Sequence, residues 1–189
     1  MHFFALLSLV CGAAALRCGV RVNPGLTRAG TPIASAAAPT ALVPIAEGSE
    51  ELEATAIVNV LRRAGWAVTL ASVGVPEDAP VTCARGQRLL VDETIQVAGT
   101  REYDAVLIPG GMPGAANLGA SAEVIAALRR QREAGAWYGA ICAAPAACLQ
   151  PAGLLPPRAT CHPAFVSTLS EAGCTEEDLQ VSIILKLHI

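Results

Sequence analysis

Three short runs of this chain, Ala41 to Ala46, Asp104 to Ile108 and Trp137 to Ile141, are almost wholly apolar, and each ends at a glycine or a cluster of small residues. A strand with one wet face alternates apolar and polar residues. An unbroken apolar run is what a strand looks like when both faces are buried, and that requires a parallel sheet with helices packed on its two sides.

The intervening segments carry helical signals. After Ala46, Ser49 is placed to cap a helix, Glu50 and Glu51 suit its positive end, and Gly65 stops it just beyond Arg62 and Arg63. Trp66 to Val73 alternates as a second strand, and Val81 to Ile95 offers two short β segments around Gly86. Ala122 to Glu133 repeats Val124, Ile125 and Leu128 at helical spacing before Gly135. Ala143 to Leu149 continues in helix formers with Pro145 in the first turn, and Ala159 to His162 reads as a last strand. Strands alternating with helices predict an α/β chain, a flavodoxin-like three-layer sandwich with a mostly parallel sheet.

The chain is long enough for one domain and too short for two. Its start has a different composition: no Asp or Glu occurs before Glu47. Phe3 to Val10 followed by Gly12 to Ala15 resembles a signal peptide, too short to cross a bilayer, and the Arg17, Arg21, Arg28 stretch resembles a transit peptide. Residues 1–39 are therefore expected to be a targeting presequence and residues 40–189 the domain. The bipartite pattern points to a plastid, with mitochondrial, secreted or cytoplasmic placement as the rivals. A fluorescent reporter fused behind the first forty or so residues should enter plastids; a diffuse cytoplasmic signal would refute that address.

Composition excludes several partners. A net charge of −3 with scattered Lys and Arg leaves no basic stripe for nucleic acid or for a membrane surface. Seven cysteines occur without a CxxC pair, so no metal is expected, and five of them remain beyond the presequence, an odd number that argues for reduced thiols. GxGxxG and GxxxxGK[ST] are both missing, so no cofactor is expected either.

The chemistry centres on Cys142, between an apolar strand and an Ala-rich helix with small neighbours on both sides, as at a nucleophile elbow. The alternative is an inert buried cysteine. Glu53 falls in the stripe of Ile57, Val60, Leu61 and Ala64; it either faces the core as a protonated donor to a thiolate or reaches solvent from the helix edge. Of three histidines only His162 lies in the domain body, as an imidazole base at a strand end or as a structural residue. Gly110 and Gly111 follow another strand and are placed to aim backbone N–H groups at an oxyanion. Arg62, Arg63 and Arg85 read as solvated or interface charges.

Several motifs in order, ALVPIAEGSEELE from Ala41, RRAG from Arg62, LIPGGMPGAANL from Leu107 and AICAAP around Cys142, resemble the ThiJ/PfpI superfamily, and within it the branch of the Parkinson-disease protein deglycase. The resemblance covers Ala41 to Gly173. It implies Cys142 as nucleophile and oxidation-sensitive thiol, Glu53 as its protonated partner, His162 as third member, and oxyanion contacts from Gly110, Gly111 and the Ala143 amide. It also implies a homodimer and a cofactor-independent glyoxalase or deglycase acting on small α-oxoaldehydes or glycated protein. An oxidative-stress sensor or chaperone-like protein using the same cysteine is the alternative.

The family pattern continues with further strands and a long C-terminal helix, where this chain runs from Gly173 and Cys174 into QVSIILKLHI. A truncated end, exposed apolar surface and an inactive homologue are the corresponding expectations. Asn59, in place of an acidic residue at the family's interface, and Cys161, a second oxidisable thiol beside His162, are further departures.

Overall fold

A computed structural model describes residues 37–156, 159–171 and 184–185. The expected presequence up to residue 36 and most of the divergent tail lie outside the described residues. Strand β1 (Thr40–Ala46) leads into helix α1 (Glu51–Arg63), which returns to β2 (Ala67–Val73). A small antiparallel hairpin, β3 (Val81–Thr82) with β4 (Arg88–Leu89), stands apart from the main sheet. Then come β5 (Glu93–Thr94), α2 (Ile95–Ala98), β6 (Ala105–Ile108), α3 (Gly114–Ala120), α4 (Ala122–Glu133) and β7 (Trp137–Ala140). Beyond β7 lie a helical segment at Pro145–Leu149, a 3-10 turn at Pro163–Phe165, α5 (Val166–Glu171) and β8 (Ile184–Leu185).

The main sheet runs β5-β2-β1-β6-β7-β8 and is parallel except for the last pair. Its central strands alternate in the way that burial on two faces requires. Leu42, Val106, Ile108, Tyr138 and Ala140 enter one core with Leu118 of α3, and Val124 and Leu128 of α4. Ala41, Val43, Ala105 and Leu107 enter the other with Ile57 and Leu61 of α1. The result is the expected three-layer, flavodoxin-like sandwich.

Sheet order also fixes where a site can form. The chain moves from β1 to β2 on one side and returns to place β6 on the other, so β1 and β6 flank the switch point. The crevice beyond their carboxyl ends is where such sheets bind ligands.

Several local expectations are corrected. Ser49 does not cap α1; its hydroxyl accepts from the Ala46 N–H at 3.0 Å, and Glu50 takes the cap position. The segment after Cys142 is a π-helical turn, with Gln150 N–H reaching back to the Pro145 carbonyl, and Pro145 sits at its first position, where no N–H is needed. Ala159 to His162 forms no strand. The antiparallel β8 occupies the free edge of β7, and Pro163 has no N–H with which to extend a ladder. Ala64, read as part of the α1 stripe, is exposed.

Leu128 is fully buried whereas Leu90 is 68% exposed. Leu128→Ala should lower unfolding stability by about 2–5 kcal/mol in urea titration. Leu90→Ala should change it by less than about 0.5 kcal/mol.

Candidate active site

Three loops meet beyond the strand ends. The first carries Gly48 to Glu53 from β1, the second Pro109 to Gly114 from β6, and the third Ile141 to Ala144 from β7. Ile141 N–H bonds the Ile108 carbonyl at 3.1 Å, so pairing continues one residue past the strand and delivers Cys142 to the rim. Cys142 then adopts a φ of 60°, the left-handed region, and among the described residues no other non-glycine does. Backbone in that region costs about 1–3 kcal/mol for an ordinary residue and is retained where the surroundings enforce it. Here the helical turn from Ala144 and the β7 pairing hold its two sides.

Glu53 sits in the first turn of α1, and its Oε2 accepts the Gly110 N–H at 2.7 Å. A Cβ on Gly110 would lie 2.6 Å from the Cys142 Cβ and 2.8 Å from that same oxygen, so only glycine fits between the carboxyl and the thiol. Gly111, at φ 86°, turns the β6 loop back so that its Cα faces the Glu50 amide; an added Cβ would lie 2.4 Å from that nitrogen. The predicted acid, thiol and glycines are therefore together.

The backbone amides around the thiol divide between two partners. Gly110 spends its N–H on Glu53, and the amides of Gly111 and Ala143 are the ones that face the Cys142 sulfur. His162 is tied to the elbow through its backbone, its N–H donating to the Cys142 carbonyl at 2.7 Å. Its ring is exposed and stands edge-on to Phe165 at 6.3 Å, and Nδ1 accepts the Ala164 N–H at 3.2 Å. Nδ1 is thereby engaged as an acceptor, which places the hydrogen of a neutral ring on Nε2.

Burial pushes the Glu53 carboxyl above the ordinary glutamate range, against the Gly110 N–H, which pulls it down; the nearby charge of Glu50 adds to the rise. Burial also raises the Cys142 thiol, and an ionised Glu53 raises it further, while the Gly111 and Ala143 amides lower it. The Glu53 contribution exists only while that carboxyl is charged. A protonated Glu53 removes the repulsion and can donate to sulfur instead.

The other thiols differ. Burial, then Glu51 and Glu50, push Cys83 up to about 11, and burial alone pushes Cys148 up to about 12, which keeps both protonated. Cys161 is half-buried, against the cluster of Ala146, Ala159 and Leu169. Arg62 pairs with Asp92 at the surface. Glu51 is buried, and burial alone would raise it, but amides including those of Arg85 and Gln87 hold it low and pin the β3–β4 hairpin to α1.

Glu50 was assigned only to the helix dipole, yet its Oε2 accepts the Glu53 N–H at 2.8 Å. The i to i+3 spacing of Glu50 and Glu53 is that of a helix cap and would have revealed it, had the more usual capping residue Ser49 not stood next to it.

The family model described as the DJ-1/PfpI family matches residues 39–183. The Arabidopsis thaliana protein named DJ-1 homolog B is 40% identical over 144 residues, covering 76% of this chain and 32% of that protein. The chain thus spans about a third of the length of this relative. A Caenorhabditis elegans protein named as a glutathione-independent glyoxalase is 33% identical over 127 residues, 67% of this chain and 66% of that one. Among solved structures, oxidised DJ-1 of Toxoplasma gondii superposes with a TM-score of 0.69 at 40% identity, covering 74% of this chain and 75% of that one.

A carboxyl whose pKa is raised by folding stabilises the fold fully below its unfolded value, near 4.5, and loses that contribution as pH rises through the folded value. The stability of the wild type relative to Glu53→Gln should therefore fall between mildly acidic and alkaline pH, as measured by urea unfolding across that range. A flat difference would refute a protonated Glu53.

Proposed function

The chain belongs to the DJ-1/PfpI family, and from that premise we propose that it is a cysteine-dependent, cofactor-independent glyoxalase or deglycase acting on methylglyoxal-type α-oxoaldehydes or their protein adducts. The observation that carries this reading is the Glu53 carboxyl, fixed by the Gly110 N–H within a glycine's width of the Cys142 thiol. The existence of a relative named as a glutathione-independent glyoxalase supports the reaction class.

The thiolate of Cys142 adds to the aldehyde carbon, forming a C–S bond while the carbonyl electron pair moves to oxygen. The amides of Gly111 and Ala143, which face the sulfur, stabilise that oxyanion. Glu53 delivers its proton to the alkoxide and becomes the base that removes the hydrogen from the same carbon. A proton shifts from the first to the second oxygen of the resulting enediolate, Glu53 returns the proton it abstracted to the neighbouring carbon, and the electron pair on the first oxygen closes the thioester carbonyl, leaving Glu53 ionised to take up the proton released on hydrolysis. Water cleaves the thioester, restoring the thiol and releasing lactate, so the sum is methylglyoxal plus water to lactate.

A second reading rests on the same thiol. Two amides and a protonated carboxyl around a half-buried sulfur would also hold the oxygens of a sulfinate, and a solved relative is of the oxidised protein. In that reading oxidation of Cys142 is the signal and no turnover is needed.

Purified protein given methylglyoxal without glutathione should form lactate. Cys142→Ser should abolish turnover, and Glu53→Gln should lower kcat by about 10²-fold or more. Folded protein that forms no lactate would overturn the enzyme reading and leave the sensor.

A further inference from the structure

Three hydrogen bonds form a closed ring beside the Cys142 thiol. Glu50 N–H donates to the Gly110 carbonyl at 2.9 Å, Gly110 N–H donates to Glu53 Oε2 at 2.7 Å, and Glu53 N–H donates to Glu50 Oε2 at 2.8 Å. Gly110 is thus gripped through both sides of its backbone by two glutamates one helical turn apart. Only one of them reaches the sulfur. Glu50 turns its carboxylate to the Glu53 amide in the first turn of α1, where negative charge is stabilised by the helix, while Glu53 turns its carboxyl to the thiol.

We infer that Glu50 is a positioning residue for the thiol chemistry, orienting the Glu53 carboxyl through the ring and, by carrying the negative charge of the pair, leaving the proton on Glu53. This rests on the reading of Glu53 as the partner of Cys142. The ring sets the two glutamates one helical turn apart, near enough for the charge of Glu50 to oppose a second negative charge on Glu53. The groups that face Glu53 are the Gly110 amide, the Cys142 thiol, the His162 ring and Glu50 itself; on its other side Glu50 faces Cys83 of the hairpin. The charge of Glu50 raises the Glu53 carboxyl, in agreement with this division.

The sign of the effect separates this role from a direct one. Losing a negative charge that acted directly on Cys142 would make the thiol easier to ionise. Losing one that acts through Glu53 does the reverse, because Glu53 then gives up its proton more readily and its carboxylate opposes the thiolate.

The test is the pH midpoint of Cys142 alkylation by iodoacetamide in the full chain, read on the Cys142 peptide by mass spectrometry. Glu50→Gln keeps an oxygen to accept the Glu53 N–H and removes the charge. It should raise the midpoint by about half a pH unit, an about threefold slower alkylation near neutrality. Glu50→Asp should return it toward wild type, and Glu50→Gln added to Glu53→Gln should cause no further rise. A midpoint that falls or stays in place in folded Glu50→Gln overturns the inference, as does a rise that persists without Glu53. If Glu53→Gln alone leaves the midpoint unmoved, the Glu53–thiol reading fails as well; if it moves the midpoint and Glu50→Gln does not, only the role of Glu50 fails.

Discussion

The loops leaving β1 and β6 touch backbone to backbone, and the site depends on that contact. A Cβ at Gly114 would lie 2.2 Å from the Ser49 nitrogen, and one at Gly48 would lie 2.4 Å from the Pro113 ring. Nothing larger than hydrogen fits at either point without moving main chain. The approach brings the start of α1, with Glu53, over the end of β6 and against the elbow of β7. Three elements distant in sequence thereby meet at a single carboxyl–thiol contact, at the switch point of the sheet.

Much of this was legible in the sequence because burial on both faces leaves an unmistakable trace. The runs at Ala41, Asp104 and Trp137 became β1, β6 and β7 within a residue, and Ala122–Glu133 became α4 with the same bounds. What the pattern hid was short or irregular. Helix α3 has the sequence GAANLGA, with two glycines and an asparagine, and forms because Ala115 and Leu118 are fully buried against the sheet. Packing there outweighs a poor local propensity.

The site residues were partly legible for the same reason. Glu53 announced itself as a charge on an apolar stripe, and Cys142 as a thiol where a strand runs into small residues. Backbone chemistry could not be read in this way. Nothing in residue type says that Gly110 gives its N–H to Glu53 rather than to a substrate, or that the imidazole of His162 accepts from Ala164. Those assignments follow from where the main chain turns, and the sequence carried the turns only as glycines and prolines.

The two sides of the site are anchored with unequal strength. Glu53 and Gly110 hang from β1 and β6, and β1 is paired along its whole length with β2 and in part with β6. His162 belongs to a stretch outside the sheet, joined to the elbow by its own N–H to Cys142 and followed by a single 3-10 turn. Local opening around His162 breaks fewer backbone pairs than opening at β1 or β6 does. The acid and the thiol thus lean on paired strands, whereas the imidazole leans on one backbone hydrogen bond and a short turn.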